Sequence, residues 1–380
     1  MTESIIIKDA GPLRHVAIDR ISPVTLLIGE SGSGKSVFMK ALLLMRYIYK
    51  MLNIRATLKN AGLKSPFKLN LRSLLKDDLA LYFGPGKSGE IQYSTHDGRY
   101  TLRITNGKLI TKEAENISAP DLVFLKESWI TEMRSAIPMW LARPGAFKEA
   151  GFYFKETADD FDKALDAVTD LAMPHIGMHM HVKRVNDKRR VMLAPDNAAY
   201  DALELRNASS GMQSSAPVVA LTRYFAREFS FKDALKRSIV DYLFQQDRLT
   251  HYRPDIEPAD IPRIVHMHIE EPELSLYPSA QCAMIEDIVK TALNPAADRS
   301  LSIIMATHSP YIVNYMNILL SLPHTDPAAL SGENLGIYRI ADGQLQNLMA
   351  RTPAGRWIVD STAFTEPMTD ILSRYRSLNS

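Results

Sequence analysis

VTLLI-GESGSGKS-VFMKALLLM, residues 24–45, places three elements in a fixed order: a short apolar strand, a glycine-rich loop and the start of a helix. The apolar residues of 37–58 recur at helical spacing, and the loop satisfies GxxxxGK[ST]. Glycines let such a loop curl so that successive backbone N–H groups converge on phosphate at the positive end of the helix dipole. Lys35 can then reach the β- and γ-phosphates, and Ser36 can offer its hydroxyl to Mg²⁺. Gly29, Glu30, Ser31, Gly32, Ser33, Gly34, Lys35, Ser36 and Val37 are therefore the candidate nucleotide-binding residues, with ATP or GTP as ligand. The loop alone leaves a kinase, a GTPase, a transporter motor and a chromosome-type ATPase open.

Outward from the loop, two short strands at 4–8 and 15–19 flank a Gly11-Pro12 turn. Residues 90–113 alternate in three runs broken by Asp97-Gly98 and Asn106-Gly107, the pattern of an antiparallel meander. A strand at 122–125 follows, then a mainly helical stretch at 145–171 carrying Asp159, Asp160, Asp162, Asp166 and Asp170. A second hairpin at 179–193 turns at Asn186-Asp187. Further on we read a strand at 202–206, helices at 214–229 and 232–246, and a proline-rich connector at 251–262. Strands at 263–269 and 302–306 flank a helix at 278–293; a hairpin at 335–349 and a helix at 366–375 end the chain.

The strand 263–269 delivers Glu270 and Glu271 at its C-terminal end. The chemistry of nucleotide hydrolysis needs one acid in the Mg²⁺ shell and a second beside the attacking water. The strand 302–306 ends at Thr307-His308, where a histidine could hydrogen-bond the γ-phosphate or the water. Ser209-Ser210-Gly211-Met212-Gln213 is a small-residue turn opening a helix, a second anion-friendly N-terminus.

These stretches resemble the ABC-type ATPases of the SMC, RecF and OLD group. Glu270 to Pro278, EEPELSLYP, is similar to that group's DEPExxLHP, 306–310 to its ATHSP, and 209–213 to its SSGxQ signature. The four motifs keep the family order over 29–310. The resemblance implies an α/β P-loop NTPase head with a mixed sheet, a β-meander insertion and a helical insertion. It implies a homodimer sandwiching two ATP molecules, or a higher oligomer built on it, with Ser210, Gly211 and Gln213 of one head facing the nucleotide of the other. By position, Glu271 would be the catalytic glutamate, His308 the switch histidine, and Glu270 with Ser36 the Mg²⁺-side ligands. Glu127, just past the strand 122–125, is the candidate for the Q-loop role at the metal. The group usually has Asp where Glu270 stands and commonly Asn where the loop reads Glu30-Ser31. Both departures bear on turnover more than on binding.

The same resemblance divides the chain into 1–64 with the phosphate loop, 65–120 the meander, 121–206 a helical insertion with a basic hairpin, 207–350 the distal motifs, and 351–380 a tail helix. No nuclease module is recognisable after residue 310. Compact heads of this kind resemble ATPases of bacterial antiphage defence, which work with a separate effector, a nuclease or toxin. The alternative is a DNA-binding repair ATPase of the RecF or SMC type, with no effector.

Composition limits the rest. In 380 residues, 46% hydrophobic, 45 basic and 43 acidic side chains leave a formal charge of +2, an ordinary globular balance. The single Cys282 excludes an internal disulfide framework and cysteine-based metal sites. With no membrane-length apolar run and no signal-peptide pattern in the first residues, the expected address is the cytoplasm. The His179/His181 and His266/His268 pairs are zinc half-sites in outline, but lack a supporting carboxylate or thiolate and read as packed histidines. The near-zero charge conceals a segregation: no acid lies between Glu30 and Asp77, while Lys35, Lys40, Arg46, Lys50, Arg55, Lys59, Lys64, Lys68, Arg72 and Lys76 do. This segment 35–76, and the hairpin 183–190 with Lys183, Arg184, Lys188, Arg189 and Arg190, are candidate contacts for DNA or another nucleic acid or an acidic partner.

Overall fold

The computed structural model describes residues 1–60, 69–143, 145, 149–185, 188–198, 201–234 and 261–378. The chain opens with the hairpin β1 (Glu3–Ala10) and β2 (Leu13–Ile18), then β3 (Val24–Ile28) and the 26-residue helix Lys35–Asn60. The meander is β4 (Glu90–Thr95), β5 (Tyr100–Thr105) and β6 (Lys108–Ile110), followed by β7 (Phe124–Ile130). A helix Phe152–Ala167 leads into β8 (Asp170–Met173), β9 (Met178–Val185), β10 (Lys188–Pro195) and β11 (Leu203–Glu204), a separate antiparallel sheet. After the helix Ser210–Arg227 come β12 (Arg263–Glu270), the helix Pro278–Leu293, β13 (Ser300–Thr307) and the helix Pro310–Leu319. β14 (Leu335–Ala341), β15 (Gln344–Asn347), the small pair β16 (Met349–Arg351) and β17 (Trp357–Val359), and the helix Thr362–Leu378 complete it. The predicted connector 251–262, most of the predicted helix 232–246 and the turn at Asn186-Asp187 lie outside the described residues.

Eleven strands form one sheet in the order β6-β5-β4-β1-β2-β15-β14-β3-β13-β12-β7. The block β14-β3-β13-β12-β7 is parallel throughout, and the meander joins it because β4 pairs with β1 in antiparallel register. The strands β4, β5 and β6 therefore extend the main sheet. A parallel block has to be covered on both faces. Alternation along β3 meets this need: Leu27 faces the core built on Phe38, Leu42 and Met45 of the helix Lys35–Asn60. Val24, Leu26 and Ile28 face the opposite core, shared with the helices Phe152–Ala167, Ser210–Arg227 and Pro278–Leu293.

The expectation of a strand at 122–125 falls short at its far end, since β7 runs on to Ile130. Lys126 and Glu127 interrupt the apolar run, yet both are held inside the fold by opposite charges, Asp160 at 2.7 Å and Lys50 at 2.8 Å. Pairing removes the cost that would otherwise end a buried strand there.

Part of the basic segment is held by opposite charges in the same way. Arg46 is fully buried against Glu3 at 2.8 Å, Lys40 pairs with Asp78 at 2.9 Å, and Lys50 with Glu127. Lys59 donates to the Glu115 carbonyl and the Asn116 side chain, each at 3.4 Å. Lys64 and Lys68 lie outside the described residues. Three charges of one sign in sequence are thus met in space by acids from β1, β7 and the segment after the helix. The hairpin is also partly neutralised, for Arg189 pairs with Asp162 and Asp166, and Arg190 lies 3.9 Å from Glu204.

Under the sheet, Glu3 accepts from Arg46 Nε at 2.9 Å and from the Tyr93 hydroxyl at 2.5 Å. Arg46 also approaches His268 Nε2 at 3.1 Å, while His268 Nδ1 lies 3.1 Å from the Ser128 carbonyl, so the proton sits on Nδ1. The histidine pair on β12 is therefore packed, and among the described residues no three His, Cys, Asp or Glu side chains assemble a metal site. Arg46→Met should cost about 3 kcal/mol or more by stranding Glu3 without its cation, read from urea unfolding.

Acid should also unfold the protein. Burial pushes the Glu3 carboxyl up, but Arg46, His266 and the hydrogen bonds outweigh it and hold it at about 2, below the ordinary 4.5. Its contribution is present above 4.5 and lost as pH falls toward 2. Burial and Arg46 hold His266 at about 3 against an ordinary 6.5, so the unfolded chain takes up that proton first and stability falls from about 6.5 downward. Urea midpoints measured across this range should decline continuously with acid.

Candidate functional site

The C-terminal ends of β3, β13, β12 and β7 lie side by side, the place where open α/β sheets present ligand sites. Each end contributes one part. β3 runs into the loop, β13 ends at His308, β12 at Glu270 and Glu271, and β7 two residues before Glu132.

A cleft of about 360 Å³ opens there, its floor made by Ser31, Gly32, Gly34, Lys35, Ser36 and Val37. Its wall carries Glu132, Glu270, Glu271 and His308, and Pro12 and Tyr82 close the other side. Gly34 has φ +106°, and a Cβ on it would meet Leu13 at 2.5 Å, so the loop can take this path under the β1–β2 turn only with glycine. Lys35 donates to the carbonyls of Gly29 at 2.8 Å and Glu30 at 2.9 Å, which uses two of its ammonium protons. Burial lowers its pKa, while Glu271, Glu273 and Glu270 act to raise it.

Glu270 is buried, and burial raises its pKa against a hydrogen bond from the Ser36 hydroxyl. Loop serine and strand acid thus already touch, the arrangement a shared Mg²⁺ needs. Glu271 has φ +44°, in the left-handed region, and its N–H donates to the Ala306 carbonyl at 2.8 Å. Its carboxylate lies 3.8 Å from His308 Nε2, and the His308 N–H donates to Glu273 at 2.7 Å. The loop fits an anionic phosphate chain: three glycines, a helix N-terminus, a buried lysine, and a Ser33 hydroxyl buried without a partner. Glu30, the departure in the loop, is exposed and absent from the cleft lining, so its carboxylate need not oppose phosphate.

Ser210, Gly211 and Gln213 do not line this cleft. They sit at the start of the helix Ser210–Arg227, capped by Ser209, whose side chain accepts from the Met212 N–H at 3.4 Å. Ser210 is exposed; Gln213 donates to the Arg206 carbonyl at 2.9 Å. Gly211 is required by close approach, since a Cβ would lie 2.5 Å from the Ser275 carbonyl oxygen.

Glu127 is also absent from the cleft. It lies in the middle of β7, buried and salt-bridged to Lys50, because the strand continues five residues beyond its expected end. Glu132, just past the end of β7, lines the cleft, and its N–H bonds the Glu270 carboxylate. Arg134 was equally invisible in sequence, since its partners are main-chain carbonyls. It is fully buried and donates to Ser214 at 2.8 Å, Thr131 at 3.0 Å, Glu270 at 2.6 Å and Glu271 at 2.5 Å.

The strand order and the loop after β3 define an α/β fold with a mixed sheet and a phosphate-loop type of strand–loop–helix unit at its centre. No protein-family model matches the chain, and no curated protein matches it. Among solved structures it is similar to an SMC head bound to the C-winged helix domain of ScpA, with TM-score 0.40, 13% identity, and coverage of 96% of this chain and 99% of that one. It is also similar to the SMC head domain from Thermotoga maritima, with TM-score 0.35, 11% identity, and coverage of 92% and 99%. No helix among the described residues is long and apolar enough to cross a membrane.

Proposed function

We propose that this chain is an ATPase head that binds ATP, pairs with a second copy around it, and opens on hydrolysis. The observation that carries the reading is the meeting of Lys35, Ser36, Glu270, Glu271 and His308 in one cleft at adjacent strand ends. The N–H groups of the loop and Lys35 bind the phosphates, and the loop's path under Pro12 fixes them. Ser36 and Glu270, with Glu132 nearby, would hold Mg²⁺, which neutralises phosphate charge when bound. Glu271 accepts the proton of the attacking water, and His308 orients Glu271 or hydrogen-bonds the γ-phosphate.

Pairing is supported by what the cleft lacks and what surrounds it. Ser209 and Ser210 are exposed at the helix start outside the chain's own cleft, where Ser210 would complete that of a second copy, with Gly211 and Gln213 behind it. Met133, Tyr277 and Tyr311 follow the three wall motifs and are 52%, 78% and 50% exposed, large side chains suited to a protein interface. ATP hydrolysis by the purified chain, with ATP-dependent dimerisation in light scattering, tests the reading; a monomer that leaves ATP intact would sink it.

We further propose that the motion serves a separate effector, a nuclease or toxin of the antiphage defence kind, in the cytoplasm. The ion pairs that hold Lys40, Arg46 and Lys50 weigh toward a protein partner over nucleic acid. Steep stimulation of hydrolysis by DNA alone would instead favour the repair-ATPase alternative.

A further inference from the structure

Arg134 lies in a one-turn segment after β7 and bears no expected role, yet it makes more main-chain contacts than any residue of the site described above. Its guanidinium reaches three separate pieces of chain. One is its own segment through the Thr131 carbonyl, the second is the end of β12 and the residue after it through the carbonyls of Glu270 and Glu271, and the third is the helix Ser210–Arg227 through the Ser214 carbonyl. Each bond is charge-assisted, and the planar fork fixes directions as well as distances.

Two features make the Glu271 contact consequential. Glu271 adopts φ +44°, a strained conformation for a residue with a side chain, which persists only where surroundings over-determine it. Arg134 at one face of that residue's carbonyl, and the Leu274 N–H at 2.9 Å on the same oxygen, supply the constraint. The Ser214 contact is the second feature. Ser214 is the fifth residue of its helix, one turn from Ser210 and Gly211, and its hydroxyl also donates to the Leu274 carbonyl at 2.7 Å. Movement of that helix end therefore reaches Glu271 through a rigid cation.

We infer that Arg134 is a positioning residue that sets the main chain of Glu271 and ties it to Ser214 near the start of the helix Ser210–Arg227, so that what docks on this helix end is felt at Glu271. This rests on the ATPase reading above and adds a link between the two nucleotide sites of a pair: Ser210 and Gly211 face one nucleotide, Glu271 the other. Binding to one cleft then adjusts the hydrolytic group of the next.

The test uses the full chain with Arg134→Gln and Arg134→Lys. Lysine keeps the charge but loses the fork, so it should fail to rescue. Misplacing a reacting group by about 1 Å costs about 10- to 100-fold, and both variants should lose that much in kcat. ATP affinity should stay within about threefold, with ATP concentration dependence becoming non-cooperative. On a Glu271→Gln background the Arg134 substitutions should add no further loss, because both act through one group. A kcat within about twofold of the parent in either variant overturns the inference, as do equal losses on both backgrounds. Failure of both variants to fold assigns Arg134 a purely structural role and overturns it too. A parent protein that does not hydrolyse ATP sinks the ATPase reading along with it; an active parent with an indifferent Arg134 sinks this inference alone.

Discussion

Glu271→Gln should bind ATP as tightly as the parent protein and hydrolyse it about 10²- to 10⁴-fold more slowly, accumulating as an ATP-bound dimer. The amide is nearly isosteric, so the hydrogen bond from the Glu271 N–H to Ala306 and the Arg134 contact to its carbonyl are untouched. What disappears is a base 3.8 Å from His308 Nε2 at the open edge of the cleft. Removing that charge also relieves repulsion between a group of acids, Glu270, Glu271 and Glu273, and the phosphates, so affinity should not fall. Size-exclusion chromatography with light scattering, with and without ATP, reads the dimer, and phosphate release reads the rate. A variant that remains monomeric at saturating ATP counts against pairing around nucleotide.

Lys35→Ala should abolish measurable nucleotide binding. The lysine is 7% exposed and is the cation beside those three acids at the bottom of the cleft. Without it a polyanionic ligand would face Glu270 and Glu271 with only backbone dipoles in support. Loss of two charge-assisted contacts at about 1.5–3 kcal/mol each corresponds to a weakening of roughly 10²-fold or more. Binding of a fluorescent ATP analogue measures it, and an unchanged affinity would remove the loop from the site. The fold should survive, because the bonds lost, to the carbonyls of Gly29 and Glu30, lie within an exposed loop.

Much of this was legible in the sequence because the parts that carry it are local. The strand, loop and helix at 24–58 and the wall residues at 270, 271 and 308 each sit where an apolar run meets a polar terminus, and those boundaries are written in adjacent residues. The residues that do not meet at the cleft depend on partners far away in sequence. Glu127 was placed at a strand end because Lys126 and Glu127 look like one; Lys50 and Asp160, which let them stay inside β7, are on other helices. Glu132 follows from the corrected end of β7, and Arg134 from nothing in sequence, since carbonyl acceptors have no residue identity. The pairing of Lys40, Arg46 and Lys50 is hidden in sequence for a related reason. Charge along the chain says nothing about which acids return to meet it, and Glu3, Asp78 and Glu127 do so from three different elements.

The position of β3 has a consequence for how the molecule is made. Both of its neighbours come from the distal third of the chain, with Val24 opposite Ile303 on one side and Leu335 on the other. During synthesis at roughly 5–20 residues per second, about 15–60 s pass before either neighbour emerges from the ribosome. For that interval β3 has both edges open, and the apolar face that the helix Lys35–Asn60 turns toward it is only partly covered by β1, β2 and the meander. Folding dominated by such distant pairings is slow, and nascent chains that wait with open strand edges are prone to aggregate. Fragments stopping before β13 should therefore depend on chaperones and lack the nucleotide cleft, however complete their phosphate loop.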